Sequence, residues 1–390
     1  MELKKSVCLM SVCHAPFDDR IYKKEALTLA KNGFSVYHIC YGDSDMNFVT
    51  DDHIHIIQLQ KKRKGNRLKT IFAALQQTRL QDIFYAAKEL QADVYHLHDV
   101  ELCRIAMPLK KLPHAPKVIY DAHEPYPVFF RESWYKRPLM RFLLSDLPAV
   151  VAENHILPRV DYLIATEENV ASRFRKKNPH TAVVYNYSYF YPEDSALDID
   201  TKEFDAIYCG SILEAKGIFL MLNVIIEAKK RGYELKVVFV GTFSSSSVQS
   251  KVKRIIQKEK LADNLIFTGE IPLDKVSEYY KKSKTAFCLF TLNRANSIIL
   301  PIKLFEYAAF GLPIIGSDFG HIAEIIKSNN IGVCVNPEDT HEATSALIDL
   351  LSEEKYKSYI SGCIDCVKTK YLWQNQEEKL LHIYKQLLNS

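Results

Sequence analysis

The sequence predicts two doubly wound α/β domains in tandem. Three observations carry that prediction. Short, β-branched-rich apolar runs alternate with longer amphipathic stretches, which is the rhythm of βαβ units. The rhythm pauses once, at an acidic stretch, and then restarts. The chain has 390 residues, enough for two cores at about 150 residues per domain.

Taken in order, Ser6–Val12, Ser35–Cys40, Val94–Leu97, Lys117–Tyr120 and Tyr162–Ala165 read as buried parallel strands, most followed by a polar turn. Tyr22–Lys31, Leu68–Leu90 and Leu139–Glu153 carry helical periodicity between them. Tyr189–Phe204, with Pro192, Glu193, Asp194, Asp198, Asp200 and Glu203, reads as an acidic loop. Strands then resume at Ala206–Cys209, Leu235–Val240, Leu265–Phe267, Thr285–Leu289, Ile314–Gly316 and Gly332–Val335. The helices between them are Gly217–Arg231, Val248–Glu259, Leu273–Lys281, Ile302–Ala309 and His341–Ser352. Trp373–Leu388 is a closing amphipathic helix. The predicted division is 1–190, a linker at 191–205, 206–370, and a C-terminal helix at 371–390 that packs back on the first domain.

Composition narrows the function. Net charge is +4, but residues 1–190 carry 27 Lys and Arg against 21 Asp and Glu, and the rest carries 24 against 26. A basic first half suits an anionic partner, or it is ordinary surface charge. Nine scattered cysteines, among them Cys8, Cys40, Cys209, Cys288 and Cys334 in apolar runs, read as buried thiols of a reducing compartment. The Cys363–Cys366 pair lacks the further ligands of a zinc site. The apolar run within residues 1–13 is too short for a signal peptide, and no segment reaches a membrane span of about 18 apolar residues. No glycine pair forms GxG, and neither a GxxxxGK[ST] loop nor a GxSxG elbow is present. That argues against dinucleotide oxidoreductases, P-loop NTPases and α/β-hydrolases.

The run from Leu300 to Asp318 carries the most chemistry. Pro301 suits a first helical position, Lys303 and Glu306 share a helix face, and Gly311 and Pro313 end the helix before a strand. Such a helix N-terminus can hold a diphosphate, with Lys303 adding charge and Glu306 accepting from a ribose diol. The plainer reading is a surface Lys–Glu pair. DxD patterns at Asp43–Asp45 and Asp198–Asp200 fall in expected turns and read as solvated turn residues.

This run resembles the nucleotide-binding signature of the GT-B retaining glycosyltransferases, family four, whose P-x-K-x-x-E-Y-x-A-x-G-x-P pattern it matches throughout. Other segments share the resemblance: His14 to Ile21 followed by Lys24-Glu25-Ala26, Tyr120-Asp-Ala-His-Glu124, Gly210-Ser211 with Lys216-Gly217, and Phe267 to Ile271. The resemblance implies two Rossmann-like domains facing across a cleft. It also implies a nucleotide-diphosphate sugar as donor substrate, and neither a metal nor a further cofactor. It assigns His123, Lys216 and Glu124 to catalysis. Donor binding falls to Gly210, Ser211, Gly269, Glu270, Arg294, Pro301, Lys303, Leu304 and Glu306, and acceptor contact to His14, Asp18, Asp19 and Arg20.

Two positions depart from the family pattern. Ile298 stands where the first Glu of an E-x7-E motif belongs, and Ser211 stands where Arg usually follows the phosphate-loop glycine. Asn293, Arg294, Asn296 and Ser297 are candidate substitutes. Lys61 to Lys69 holds six cations in nine residues, and Phe129 to Leu144 mixes aromatics with cations. Both suit an anionic leaflet, or a solvated loop and a packed helix pair. The resulting expectation is a cytoplasmic glycosyltransferase of surface-polysaccharide synthesis (capsule or O-antigen) acting on a polyprenyl-pyrophosphate-linked or other saccharide acceptor. The inner membrane face is its expected site of peripheral contact, and no nucleic acid is involved. Two other readings of the same motifs are a nucleotide-sugar 2-epimerase and a non-catalytic nucleotide-sugar-binding paralogue.

Overall fold

The computed structural model describes residues 4–61, 70–123, 147–189 and 202–389. The chain divides into two compact units. One comprises Met1–Asn186 with Trp373–Ser390, and the other Tyr187–Leu372.

Among the described residues the first unit has eight strands: β1 (Ser6–Met10), β2 (Ser35–Gly42), β3 (Met46–Val49), β4 (His55–Gln60), β5 (Val94–Leu97), β6 (Lys117–Ala122), β7 (Tyr162–Ala165) and β8 (Thr181–Val183). Their order is β3-β4-β2-β1-β5-β6-β7-β8. All neighbours are parallel except β3 and β4, which form an antiparallel edge hairpin. That hairpin is absent from the sequence reading because its strands are short and β3, at the sheet edge, is largely exposed. The central strands lie with both faces covered, and Cys8, Met10, Ile39, Leu97, Tyr120 and Leu163 form part of one core.

Its helices are α1 (Leu27–Lys31), α2 (Thr70–Leu90), α3 (Cys103–Lys110), α4 (Leu147–Ile156) and α5 (Glu168–Arg175). A stretch of π-helix, Asp19–Ala26, runs into α1. The predicted helix at Tyr22–Lys31 therefore begins three residues earlier, because the Asp18 carboxylate accepts from the Arg20 and Ile21 amides and caps it there. The C-terminal helix Trp373–Asn389 belongs to this unit. Trp373 is fully buried and donates Nε1–H to Thr28 Oγ1 (3.3 Å), and Gln376 Oε1 accepts from the Tyr185 amide (3.1 Å).

Among the described residues the second unit has six strands: β9 (Phe204–Cys209), β10 (Val237–Val240), β11 (Leu265–Gly269), β12 (Ser283–Cys288), β13 (Ile314–Ser317) and β14 (Gly332–Val335). They are all parallel, in the order β11-β10-β9-β12-β13-β14. Helices α6 (Ile218–Lys230), α7 (Ser246–Lys258), α8 (Leu273–Lys281), α9 (Arg294–Ile298), α10 (Lys303–Ala309), α11 (Gly320–Asn329), α12 (Thr340–Leu350) and α13 (Glu353–Thr369) complete the unit. Cys363 and Cys366 are buried in α13 beside backbone carbonyls. Cys209 and Cys334 are only partly buried, and Cys13 is exposed.

In each sheet the strand order reverses beside the unit's first strand, between β1 and β5 and between β9 and β12. Loops leaving such a switch point diverge and leave a crevice at the strand C-termini. His14, Asp18 and His123 follow β1 and β6, and Gly210 and Arg294 follow β9 and β12, at or beside these two places, whereas Gly269 and Glu270 follow the edge strand β11.

Candidate active site

In the first unit, the loops after β1, β5 and β6 bring histidines and carboxylates together. His123 follows β6 and is 11% exposed at its side chain. Its Nε2 lies 3.0 Å from His98 Nδ1, a direct imidazole–imidazole hydrogen bond, and its carbonyl accepts from Thr166 Oγ1. His14 packs edge-on against His123 at 5.1 Å, and its Nδ1 is 2.9 Å from Asp18 Oδ2. Burial depresses the His123 pKa to about 4 although the Asp121 carboxylate pulls the other way, so the ring is neutral at pH 7. Burial alone would raise the Asp18 carboxyl. The hydrogen bond and charge of His14 and the Ile21 amide outweigh it and hold Asp18 below its ordinary range.

Not every predicted acceptor residue faces outward. Asp19 accepts from Lys24 Nζ (2.5 Å). Arg20 is 3% exposed and turned inward. It donates from Nε and Nη2 to Asp121 Oδ2 (3.2 and 2.6 Å) and from Nη1 to the Val184 carbonyl (3.0 Å). Its expected acceptor contact is corrected to a buried structural ion pair. Glu124 lies outside the described residues, as do the basic segment 62–69 and all of 129–144. His98 and Asp99 were not singled out from the sequence. Asp99 is buried and accepts from Ser11 Oγ (2.7 Å) and the Val12 and Cys13 amides (2.6 and 3.2 Å), which fixes the loop after β1.

In the second unit, β9, β10 and β11 run into Gly210, Gly241 and Gly269, all with positive φ. The Gly241 amide donates to the Gly269 carbonyl (3.2 Å). A Cβ at Gly241 would stand 2.2 Å from the Gly210 carbonyl oxygen, so the three chain ends form a rim of bare backbone. Gly241 is the member that sequence reading missed. Beside this rim two cations converge on one ring. Lys216 Nζ lies 4.1 Å and Lys303 Nζ 5.4 Å from the centroid of Phe290, a fully buried side chain just past β12. Lys303 also sits 3.9 Å over Tyr208. Aromatic faces hold an ammonium in place without neutralising it.

Glu306 is one turn along α10 from Lys303 and accepts from Tyr280 Oη (2.8 Å). Pro301 precedes the helix rather than opening it, since α10 begins at Lys303 with Ile302 at its N-cap. Leu304 is fully buried, so its side chain serves the core rather than the donor. Ser211, Glu270 and Arg294 are exposed. Of the candidate substitutes, Asn293 caps α9, Ser297 Oγ donates to the Asn293 carbonyl, and buried Asn296 donates to the Ala215 and Thr291 carbonyls. That leaves Arg294 as the member presented to solvent, while Asn296 holds the Lys216 loop.

A glycine rim beside paired cations thus lies at the C-terminal ends of neighbouring parallel strands of the second unit. Residues 192–361 match the model of the family described as Glycosyl transferases group 1. The fold is GT-B. The chain superposes on sucrose-phosphate synthase from Thermosynechococcus elongatus with a TM-score of 0.75 at 16% identity, covering 99% of this chain and 100% of that one. It superposes on Anabaena HepE, solved in complex with UDP and glucose, with a TM-score of 0.68 at 12% identity, covering 98% and 100%. An uncharacterized glycosyltransferase of Methanocaldococcus jannaschii is 22% identical over 239 residues, which is 56% of this chain and 57% of that protein. The aligned region thus spans little more than half the length of this relative.

Proposed function

We propose that the protein is a retaining, metal-independent glycosyltransferase that moves a sugar from a nucleotide-diphosphate donor to a lipid-linked saccharide in surface-polysaccharide synthesis. The observation that carries the reading is the convergence of Lys216 and Lys303 on Phe290, beside the rim of Gly210, Gly241 and Gly269. When the donor C1–O bond breaks, the electron pair goes to the diphosphate. Lys216 and Lys303 meet that developing charge, and Glu306 holds the ribose diol. The acceptor oxygen bonds to C1 on the face the diphosphate leaves, and its proton passes to the departing phosphate oxygen. His123 holds a sugar hydroxyl as this happens. Protein cations do the work of a metal in this scheme. Among the described residues, the clusters of acidic, His and Cys side chains close enough to share an ion fall within residues 13–121, away in sequence from Lys216 and Lys303. The basic first half supports an anionic, lipid-linked acceptor at a cytoplasmic membrane face. No helix among the described residues is long and apolar enough to cross a membrane, which is compatible with peripheral contact.

The test is nucleotide release across a panel of UDP- and GDP-sugars, with and without extracted lipid-linked acceptors. UDP-glucose is the first donor, because the HepE structures hold UDP and glucose or UDP-glucose. Lys216→Ala and Glu306→Ala are each expected to lower turnover about 100-fold. Unchanged turnover in both variants would overturn the site assignment.

A further inference from the structure

His123 stands just past the end of β6, where the ladder no longer holds the chain. Its carbonyl is anchored by Thr166 Oγ1 at 2.9 Å. A backbone anchor leaves the ring free to turn about its side-chain bonds, and a ring that meets a sugar hydroxyl must be fixed as well. Among the described residues His98 supplies that hold. Its Nδ1 lies 3.0 Å from His123 Nε2, with the ring centroids 5.2 Å apart and the planes at 64°.

His98 is itself held fixed. It directly follows β5, and its amide donates to the Met10 carbonyl at the end of β1 (3.1 Å). Its neighbour Asp99 ties down the loop after β1 through Ser11 and the Val12 amide. Its side chain is fully buried, and its ring lies against that of His96 with centroids 4.3 Å apart and planes 30° from parallel. His96 is also fully buried, and its Nδ1 lies 2.8 Å from Tyr384 Oη on the C-terminal helix. A brace thus runs from that helix through two buried rings to a third whose side chain is 11% exposed. Shut off from solvent, His96 and His98 can meet His123 but not a substrate.

Each imidazole nitrogen offers one bonding direction in the ring plane, either a proton or a lone pair. The bond to His98 therefore uses up His123 Nε2, whichever ring supplies the bridging proton. Burial keeps both rings neutral at pH 7, and two neutral rings can share such a bond. We propose that His98 is a positioning residue: it holds the His123 ring by Nε2 and leaves Nδ1 as the ring nitrogen that meets the sugar. The catalytic consequence rests on the proposed role of His123, whereas the bond between the rings does not.

The bond is read without substrate. In the full chain labelled with ¹⁵N at histidine, a ¹⁵N–¹⁵N coupling across the hydrogen bond is expected between His98 Nδ1 and His123 Nε2, lost in His98→Asn and in His123→Gln. Its absence from the parent chain would overturn the proposal. Turnover then separates positioning from folding. His98→Asn returns an amide atom near the place of Nδ1, and an amide can donate or accept. His98→Leu fills similar space with no polar atom. Both remove the ring that packs on His96, so both are expected to lower Tm by similar amounts. Only His98→Leu is expected to lose about ten-fold or more in kcat with little change in donor KM, while His98→Asn stays within about three-fold of the parent. In a His123→Gln background, His98→Leu should cost no further kcat. Equal kcat losses in the Asn and Leu variants, or a further loss on top of His123→Gln, would also overturn the proposal. Should His98→Leu fail to fold, the coupling and the His98→Asn rate decide. Inactivity of the parent toward every donor would fail the transferase reading and leave the coupling to decide the bond.

Discussion

Glu306 sits half-buried, where a carboxylate needs hydrogen-bond donors, and Tyr280 supplies one from α8 at 2.8 Å. Tyr280 is itself buried, so its ring has no freedom to leave. Tyr280→Phe removes one bond to a charged acceptor while keeping the packing. Such a bond is worth about 1.5–3 kcal/mol, so donor KM is expected to rise about ten-fold or more with kcat changed less. Initial-rate kinetics on the best donor check this, and an unchanged KM would remove Glu306 from donor binding or Tyr280 from its support. Lys303 and Glu306 were legible because both lie in one contiguous run. Tyr280 was not, because nothing in its own segment marks it. His123 was legible through its strand-end position, whereas His98 and Asp99 gain meaning only when β1, β5 and β6 stand side by side.

At the scale of elements, the loop that carries Lys216 is set by a single glycine. Gly217 has φ of +78° and joins the short 3-10 turn Glu214–Lys216 to α6. A Cβ there would lie 1.6 Å from the Leu289 carbonyl oxygen, on the segment that also delivers Phe290. Backbone cannot yield as a side-chain tip can, so Gly217→Ala must shift one of the two segments. Added left-handed strain of about 1–2 kcal/mol and overpacking of about 1–3 kcal/mol set the scale. The urea midpoint should fall accordingly, and turnover should fall further than stability because Lys216 moves off Phe290. A fully active, equally stable Gly217→Ala would show that this loop is not fixed as described. The same glycine explains part of what the sequence could tell. Gly210 and Lys216-Gly217 stand out by their resemblance to a donor-phosphate loop, and the strands around them are readable as apolar runs. Helix starts were less so: α10 begins after Pro301 rather than at it, and the π-helical segment begins at Asp19, because capping and packing across the sheet decide such boundaries.

Across the whole molecule, the buried histidines among the described residues lie in the first unit, and they are expected to make it acid-sensitive. Burial depresses the pKa of His38 to about 4, His96 to about 3 and His123 to about 4, and it holds His98 well below its ordinary value. In the unfolded chain each returns to about 6.5. Between about pH 6.5 and 4 the unfolded state therefore binds more protons at these four sites, and stability falls as pH falls. Glu25 opposes this, since its raised pKa lets the folded state hold a proton that the unfolded state has lost above about pH 4.5. Four sites against one leave the histidines ahead, at about 1.4 kcal/mol per pH unit for each net proton. Asp18 and Asp121 are held below the ordinary carboxylate range, so their contribution is lost only below about pH 4. Calorimetry from pH 7.5 to 5 should show a falling Tm. Hydrogen exchange at pH 5 should place the loss in Met1–Asn186 and the C-terminal helix, ahead of Tyr187–Leu372. His38 lies outside the proposed chemistry and pairs its Nδ1 with the Pro16 carbonyl, so His38→Asn isolates one term. It should flatten the pH dependence by up to one proton, whatever it does to stability at pH 7.5. A pH slope equal to that of the parent chain would mean that His38 takes up its proton in the folded state, and that burial of these rings is not what sets the acid limit.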